Sequence, residues 1–246
     1  MASTSLSGKT ALVTGGGSGI GLGTALALAR EGCRVAIAGR RLDVLRAAAA
    51  TWSGQPPILF QACDVAQLAE VEKLFTWANQ QLGRIDILVN AAGVNIKQRM
   101  MSNMEPPEWD RVMAINASGV YHCMYCVLPQ MRERRDGLIV NISSISGKRA
   151  AAIGGVAYNA SKFAVAALST SVANEEIQNN IRITNIYPGE VDTPILEHRP
   201  QPVSDERRAK MLLPEDLGAM VVAIARLPPR AHVPELIIKP TAQEYC

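Results

Sequence analysis

A doubly wound α/β domain is what these 246 residues predict. Three observations carry that expectation. Short apolar runs of strand length alternate with longer Ala- and Leu-rich stretches along the whole chain. Glycines cluster directly after the first apolar run. The length suits one large domain better than two small ones, at roughly 150 residues per domain. Parallel neighbours need crossover connections, and crossovers are right-handed, so the alternation builds a parallel sheet with helices on both faces.

Taken in order, Thr10 to Val13 reads as a buried strand and Ile20 to Arg30 as a helix. Val35 to Ala38 is a second strand, followed by a helix over Leu42 to Ala50. Ile58 to Phe60 leads to a helix near Leu68 to Gln81, and Ile85 to Val89 is the fourth strand. A long helix spans Trp109 to about Arg134, with a bend expected at Pro129, where proline removes an N–H. Leu138 to Ile142 is a strand, Tyr158 to about Gln178 a helix, and Ile181 to Ile186 the sixth strand. A helix near Glu215 to Ala225 and a strand at Leu236 to Ile238 follow. Only residues 190–214 lack periodicity over a long stretch; rich in proline and charge, they read as a mobile flap over a substrate, at about 190–213.

Composition removes several function classes. A net charge of +3 is too small to imply a nucleic-acid or membrane partner by itself, and 4% aromatics is too few for a base-stacking platform. No apolar run approaches the roughly 18 residues that a membrane helix needs, and residues 1–9 lack the pattern of a secretory signal. Five scattered cysteines suit a reduced, cytoplasmic protein. Cys123 and Cys126 have the spacing of a redox or metal pair, but they sit inside the long helix and read as buried thiols. His122, His198 and His232 form no cluster, so no metal is expected.

The chemistry lies in two constellations. After the first strand come Thr14, Gly15, Gly16, Gly17, Ser18, Gly19, Ile20 and Gly21. Strand, glycine turn and helix start together form an anion cradle, because glycines leave no Cβ in the way and the helix aims free N–H groups at a phosphate. The end of the second strand carries Arg40 and Arg41 where NAD-binding sites usually hold a carboxylate. A 2′-phosphate would be welcome there, so NADP(H) is favoured and NAD(H) remains possible; both arginines also suit a solvated helix start. Asp64, with Val65 beside it, ends the third strand as a candidate adenine contact or a helix cap.

The second constellation is Tyr158 with Lys162, four apart and therefore on one helix face. Ser144 ends the fifth strand, and Asn116 lies inside a helix where asparagine is unfavourable unless its amide has a task. Hydride transfer to or from a carbinol carbon requires a proton to move on the oxygen. A phenol with pKa near 10 suits that task once a neighbouring ammonium lowers it. Tyr158 is read as the general acid and base, Ser144 as the hydrogen bond to the substrate oxygen, and Lys162 as the phenol's partner and a holder of the ribose.

With these residues in place, the chain resembles the short-chain dehydrogenase/reductase family in its branch of about 250 residues, from Lys9 to Pro240. Thr14 to Gly21 match the cofactor loop, and Asn90, Ala91, Ala92 and Gly93 the element after the fourth strand. Asn116, Ser144, Tyr158 and Lys162 match the catalytic set; Pro188 and Gly189, with Thr193, match the segment that meets the nicotinamide. The resemblance implies one Rossmann-type domain with seven strands, a water on Asn116 that extends a proton relay, and a homotetramer or homodimer. Phe163 to Leu168 suits either that interface or the core. Two features depart from the pattern: the gap between Ser144 and Tyr158 is one residue longer than expected, with Ser143 as a neighbour, and the glycine loop lacks a basic residue.

The implied activity is oxidoreduction of a small carbonyl or secondary alcohol. Lys148, Arg149, His198 and Arg199 raise a hydroxy or oxo acid as substrate, against the reading of a solvated rim, and residues 236–243 look similar to NADP-dependent 3-hydroxy-acid and amino-alcohol dehydrogenases. The alternative is a non-catalytic NADP sensor or scaffold on the same fold, which would not need Ser144, Tyr158 and Lys162.

Overall fold

A computed structural model describes residues 5–244. Its elements are β1 (Thr10–Thr14), α1 (Gly19–Arg30), β2 (Arg34–Gly39), α2 (Leu42–Ala50), β3 (Leu59–Ala62), α3 (Leu68–Leu82) and β4 (Ile87–Asn90). They continue as α4 (Pro106–Met113), α5 (Gly119–Arg134), β5 (Gly137–Ile142), α6 (Val156–Glu175), β6 (Ile181–Pro188), α7 (Asp205–Arg208), α8 (Pro214–Ala225) and β7 (Glu235–Ile238). Seven strands form one parallel sheet in the order β3-β2-β1-β4-β5-β6-β7. The direction of winding reverses between β1 and β4, which opens a crevice at the carboxyl ends of the strands.

Both faces of the sheet are covered, so β1, β4 and β5 are buried along their whole length and read as continuous apolar runs. One core layer packs Val13, Ile37, Val89 and Val140 against Leu28 of α1 and Leu217 and Val221 of α8. The other packs Leu12, Leu88 and Ile139 against Leu74 of α3, Val127 of α5 and Val165 of α6. β3 and β7 are edge strands and only partly buried, which is why their sequence signals are the weakest.

Two expectations need correction. The long helix begins at Pro106, with proline in its first turn, and is interrupted by a π-helical turn over Ala114–Ser118. That irregularity holds Asn116, while Pro129 is absorbed within α5. The flap carries more structure than its composition suggests. A 3-10 turn over Pro194–His198, the short α7 and a bridge between Val191 and Leu212 shape it. Glu190 and Asp192 at its root pair with Arg199, Arg207 and Arg208 within it.

Candidate active site

A cleft of about 960 Å³ runs along the carboxyl edge of the sheet. Gly15, Ser18, Gly19, Ile20 and Gly21 line one part of it, together with Arg40, Arg41, Asp64 and Val65. Ala91, Gly93, Ser144, Tyr158, Lys162, Pro188, Gly189 and Thr193 line the rest. Asn90 and Asn116, also picked out from the sequence, are not among the lining residues.

The glycine turn is tight for a local reason. Gly15 has φ +67°, and a Cβ there would come within 2.7 Å of the Ala91 and Ala92 backbone. A Cβ on Gly21 would lie 2.3 Å from the Gly15 carbonyl oxygen. Ser18 precedes α1 in extended conformation and offers no side-chain cap, so no side chain claims the first N–H groups of that helix. Thr193 closes over the turn, and a Cβ on Gly19 would meet its Cγ2 at 3.1 Å. Arg40 and Arg41 are exposed at the end of β2, with no ion pair among the described residues and no carboxylate beside them on the same strand end. Asp64 Oδ1 accepts from the Ala66 N–H, which occupies one of its oxygens locally. These features fit a dinucleotide: free helix N–H groups for its phosphates and unpaired cations at the β2 end.

Beneath the cleft, strand register sets Thr14, Asn90, Asn141 and Asn185 side by side across four strands. Asn90 Nδ2 donates to Asn141 Oδ1 at 2.8 Å, and Asn141 Nδ2 to Ser169 Oγ at 2.8 Å. Strand alternation therefore turns Asn90 into the floor, and Ala91, Ala92 and Gly93 are the residues of that element that reach the cleft.

Asn116 is fully buried. Its Oδ1 accepts from the Val94 N–H at 2.8 Å, and its Nδ2 donates to the Val94 carbonyl and to Ser161 Oγ, each at 3.0 Å. The amide thus straps the chain after β4 to α6. A Cβ built on Gly93 would stand 3.6 Å from Asn116 Oδ1 and 3.7 Å from Lys162 Nζ, so both groups face the same small space.

Lys162 Nζ donates to the Ile142 carbonyl at 2.9 Å and lies 5.5 Å from the centre of the Tyr158 ring. Ser144 Oγ accepts from the Ser146 N–H, which turns the hydroxyl into the cleft. Ser143 instead donates to the Lys162 carbonyl, so its hydroxyl is committed to α6. Burial pushes the Tyr158 phenol above its usual pKa, opposed by its hydrogen bond with Ser144 and by the charge of Arg99. Burial outweighs these, and the relief comes from Ser144 and Arg99 rather than from Lys162. Lys162 is itself pushed down to about 8 by burial.

That depression makes a stability prediction. An unfolded lysine holds its proton to about pH 10.4, so between about 8 and that value the unfolded chain binds more protons and stability rises with pH. Below about 8 the cost of burying the charge is fully present. The Tm difference between Lys162→Met and wild type is expected to fall by a few degrees, to the variant's disadvantage, from about pH 7 to about pH 10. Thermal unfolding of the cofactor-free chain at both pH values checks it; a difference independent of pH sinks it.

Arg99 escaped the sequence reading. Only 5% exposed, it lines the cleft and donates to the carbonyls of Ile96, Ile153 and His198. It thereby ties together the loops after β4, β5 and β6. Lys148 is committed elsewhere, to Glu235, and does not line the cleft. Cys123 is buried and Cys126 half-buried, both with thiols pushed up by burial; Cys246 lies outside the described residues. Among the described residues no helix is long and apolar enough to cross a membrane.

Comparison with known proteins gives concordant matches. The profile of the short chain dehydrogenase family matches residues 9–203. Glycine betaine reductase ATRR of Emericella nidulans is 35% identical over 241 residues, which cover 96% of this chain and 19% of that much longer protein. A metagenomic short-chain oxidoreductase solved with NADP superposes with a TM-score of 0.83 at 31% identity, over 98% of this chain and 100% of that one. The 3-ketoacyl-(acyl-carrier-protein) reductase of Brucella melitensis, solved with NADH, gives 0.86 at 30% identity, over 96% and 98%.

Proposed function

Because this chain belongs to the short-chain dehydrogenase/reductase family, and is an oxidoreductase working between carbonyl and CH–OH groups, we propose that Tyr158 moves the proton of that reaction. The observation that carries the proposal is the meeting of Tyr158, Ser144 and Lys162 in a cleft that the glycine turn also lines. A nicotinamide cofactor, held by the glycine turn, would supply or accept the hydride when bound. Tyr158 gives the proton to the substrate oxygen in reduction and takes it in oxidation, and Ser144 orients that oxygen. Lys162, whose ammonium sheds a proton near pH 8, returns the proton to the phenol side and holds the ribose. Asn116 keeps Val94 and α6 in register and faces Lys162 across the space over Gly93, where a relay water fits. Pro188, Gly189 and Thr193 position the nicotinamide. Turnover of a panel of ketones and alcohols, followed by nicotinamide absorbance, tests the reading; cofactor binding without any turnover would favour the sensor or scaffold instead.

NADP(H) is the favoured cofactor, with Arg40 and Arg41 holding the 2′-phosphate. Charge-assisted hydrogen bonds are worth about 1.5–3 kcal/mol. Arg40→Ala with Arg41→Ala is therefore expected to weaken NADPH binding by about ten- to a hundredfold and to leave NADH binding nearly unchanged. Equal losses for both cofactors would refute the assignment. Residues 190–213 act as the substrate flap of this single domain. The molecule is proposed to be a homo-oligomer, a tetramer or dimer, because Tyr121 and Tyr125 stack in the open on α5 while Phe163 is exposed on α6. The four free cysteines among the described residues suit a reducing compartment such as the cytoplasm.

A further inference from the structure

The cleft carries a concentration of positive charge that the proton chemistry does not use. Arg99 is buried, and its described partners are neutral carbonyls, with no carboxylate among them. A buried charge ordinarily finds a counter-charge. The cation that bears on it is another arginine, Arg199, whose like charge combines with burial to lower the Arg99 pKa. Arg199 is itself 14% exposed and lines the same cleft.

The one poorly exposed carboxylate among these charges is Glu190, and it is already saturated. Its Oε1 accepts from Arg199 Nη2 at 2.7 Å and from Arg207 Nη2 at 2.8 Å, while its Oε2 accepts from Arg207 Nε at 3.1 Å. Arg207 thus grips Glu190 with two nitrogens and Arg199 touches it with one. The Nε and Nη1 groups of Arg199 have no partner among the described residues, although a guanidinium offers five donors in a fixed fork. Glu197 and Glu244 also line the cleft, but both are exposed and solvent screens them. Arg207, 55% exposed, is screened likewise, so the poorly exposed charges are Arg99 and Arg199 against the part-buried Glu190, a local excess of positive charge. Arg99 is near enough to Tyr158 to act on its phenol.

We propose that Arg99 and Arg199 bound an anion subsite, and that the substrate is a hydroxy or oxo acid whose carboxylate pairs with Arg199 while its reacting oxygen lies on Tyr158 and Ser144. This rests on the reading of Tyr158 given above. The carboxylate takes no part in the bond changes; it fixes which end of the substrate enters. Of the residues the sequence raised, Arg199 is the one this subsite uses, while Lys148 is spent on Glu235 and His198 contributes its carbonyl to Arg99.

Calorimetric titration of the NADP+-loaded enzyme tests the subsite without requiring turnover. The probes are 2-, 3- and 4-hydroxybutyrate, their primary amides, and inorganic phosphate. At least one acid is expected to bind about ten- to a hundredfold more tightly than its amide, the strength of one charge-assisted contact. Arg199→Gln is expected to erase that gap, Arg199→Lys to restore part of it, and NADP+ affinity to stay within about threefold in both. The gap should survive in Tyr158→Phe, because acid and amide lose the same contact of the reacting oxygen. No acid binding better than its amide, or a gap unchanged in Arg199→Gln, overturns the proposal. Should Arg199→Gln fail to bind NADP+, a gap in Arg199→Lys as large as in wild type decides against Arg199 equally. Tighter binding of phosphate than of every acid, lost in Arg199→Gln, replaces the carboxylate by a phosphate and overturns the substrate class. Retained turnover in Tyr158→Phe would fell the proton-transfer reading and leave the binding result standing.

Discussion

Tyr158→Phe is expected to lower kcat by about a hundred- to ten-thousandfold, the range of a positioned acid or base. Phenylalanine keeps the ring and its volume, so α6, Ser144 and Lys162 stay in place and the Kd of the cofactor should move by less than about threefold. What disappears is the one hydroxyl that Ser144 and Arg99 both act upon. The direction of its pKa adds a second signature. Burial holds the phenol above its usual value in the cofactor-free chain, so it is protonated at neutral pH and ready for reduction. Oxidation needs the phenolate. Alcohol oxidation should therefore climb with pH through the alkaline range while carbonyl reduction does not. Steady-state rates in both directions check both statements, and a variant that keeps its turnover would remove Tyr158 from the proton step.

Gly21→Val is expected to be the other severe change, and its damage appears in binding before chemistry. The new Cβ would sit 2.3 Å from the Gly15 carbonyl, a backbone atom that cannot step aside without moving the turn. Overpacking of this kind costs about 1–3 kcal/mol. At about 2–4 °C per kcal/mol for a chain of this size, Tm should fall by about 2–12 °C. The same displacement pushes the first N–H groups of α1 away from the phosphates, so Kd for NADPH should rise at least about tenfold. Fluorescence titration and thermal unfolding measure the two effects. Unchanged cofactor affinity would show that the turn is not the phosphate cradle.

Much of this was legible in the sequence because the physics involved is local. β1, β4 and β5 are buried on both faces, so their apolar runs have no competing interpretation. Tyr158 and Lys162 share a helix face by spacing alone, and the glycine turn declares itself by what a Cβ would strike. Other features depend on atoms that every residue possesses. Arg99 is held by three backbone carbonyls, and a carbonyl leaves no mark in a sequence. The π turn at Asn116 is a change of hydrogen-bond register within a stretch that still has helical composition. The flap is organised by Glu190 reaching residues nine and seventeen positions away, beyond any helical or strand period. Asn90 turns its side chain to Asn141, and the motif that contains it lines the cleft only from Ala91 onward, which a motif match does not distinguish.

The segment after β7 returns to the root of the flap. Gln243 Oε1 accepts from the Glu190 N–H, Lys239 Nζ donates to the Gln243 carbonyl, and Gln243 and Glu244 line the cleft. At the other end of the described chain, Leu6 and Gly8 lie where the strands begin, with Gly8 bonded to the Gly32 carbonyl ahead of β2. An affinity tag joined beyond residue 244 would hang beside the cleft that Gln243 and Glu244 line, whereas one placed ahead of residue 5 would hang near the opposite ends of the strands. Recombinant protein meant for assay is better captured by its front end.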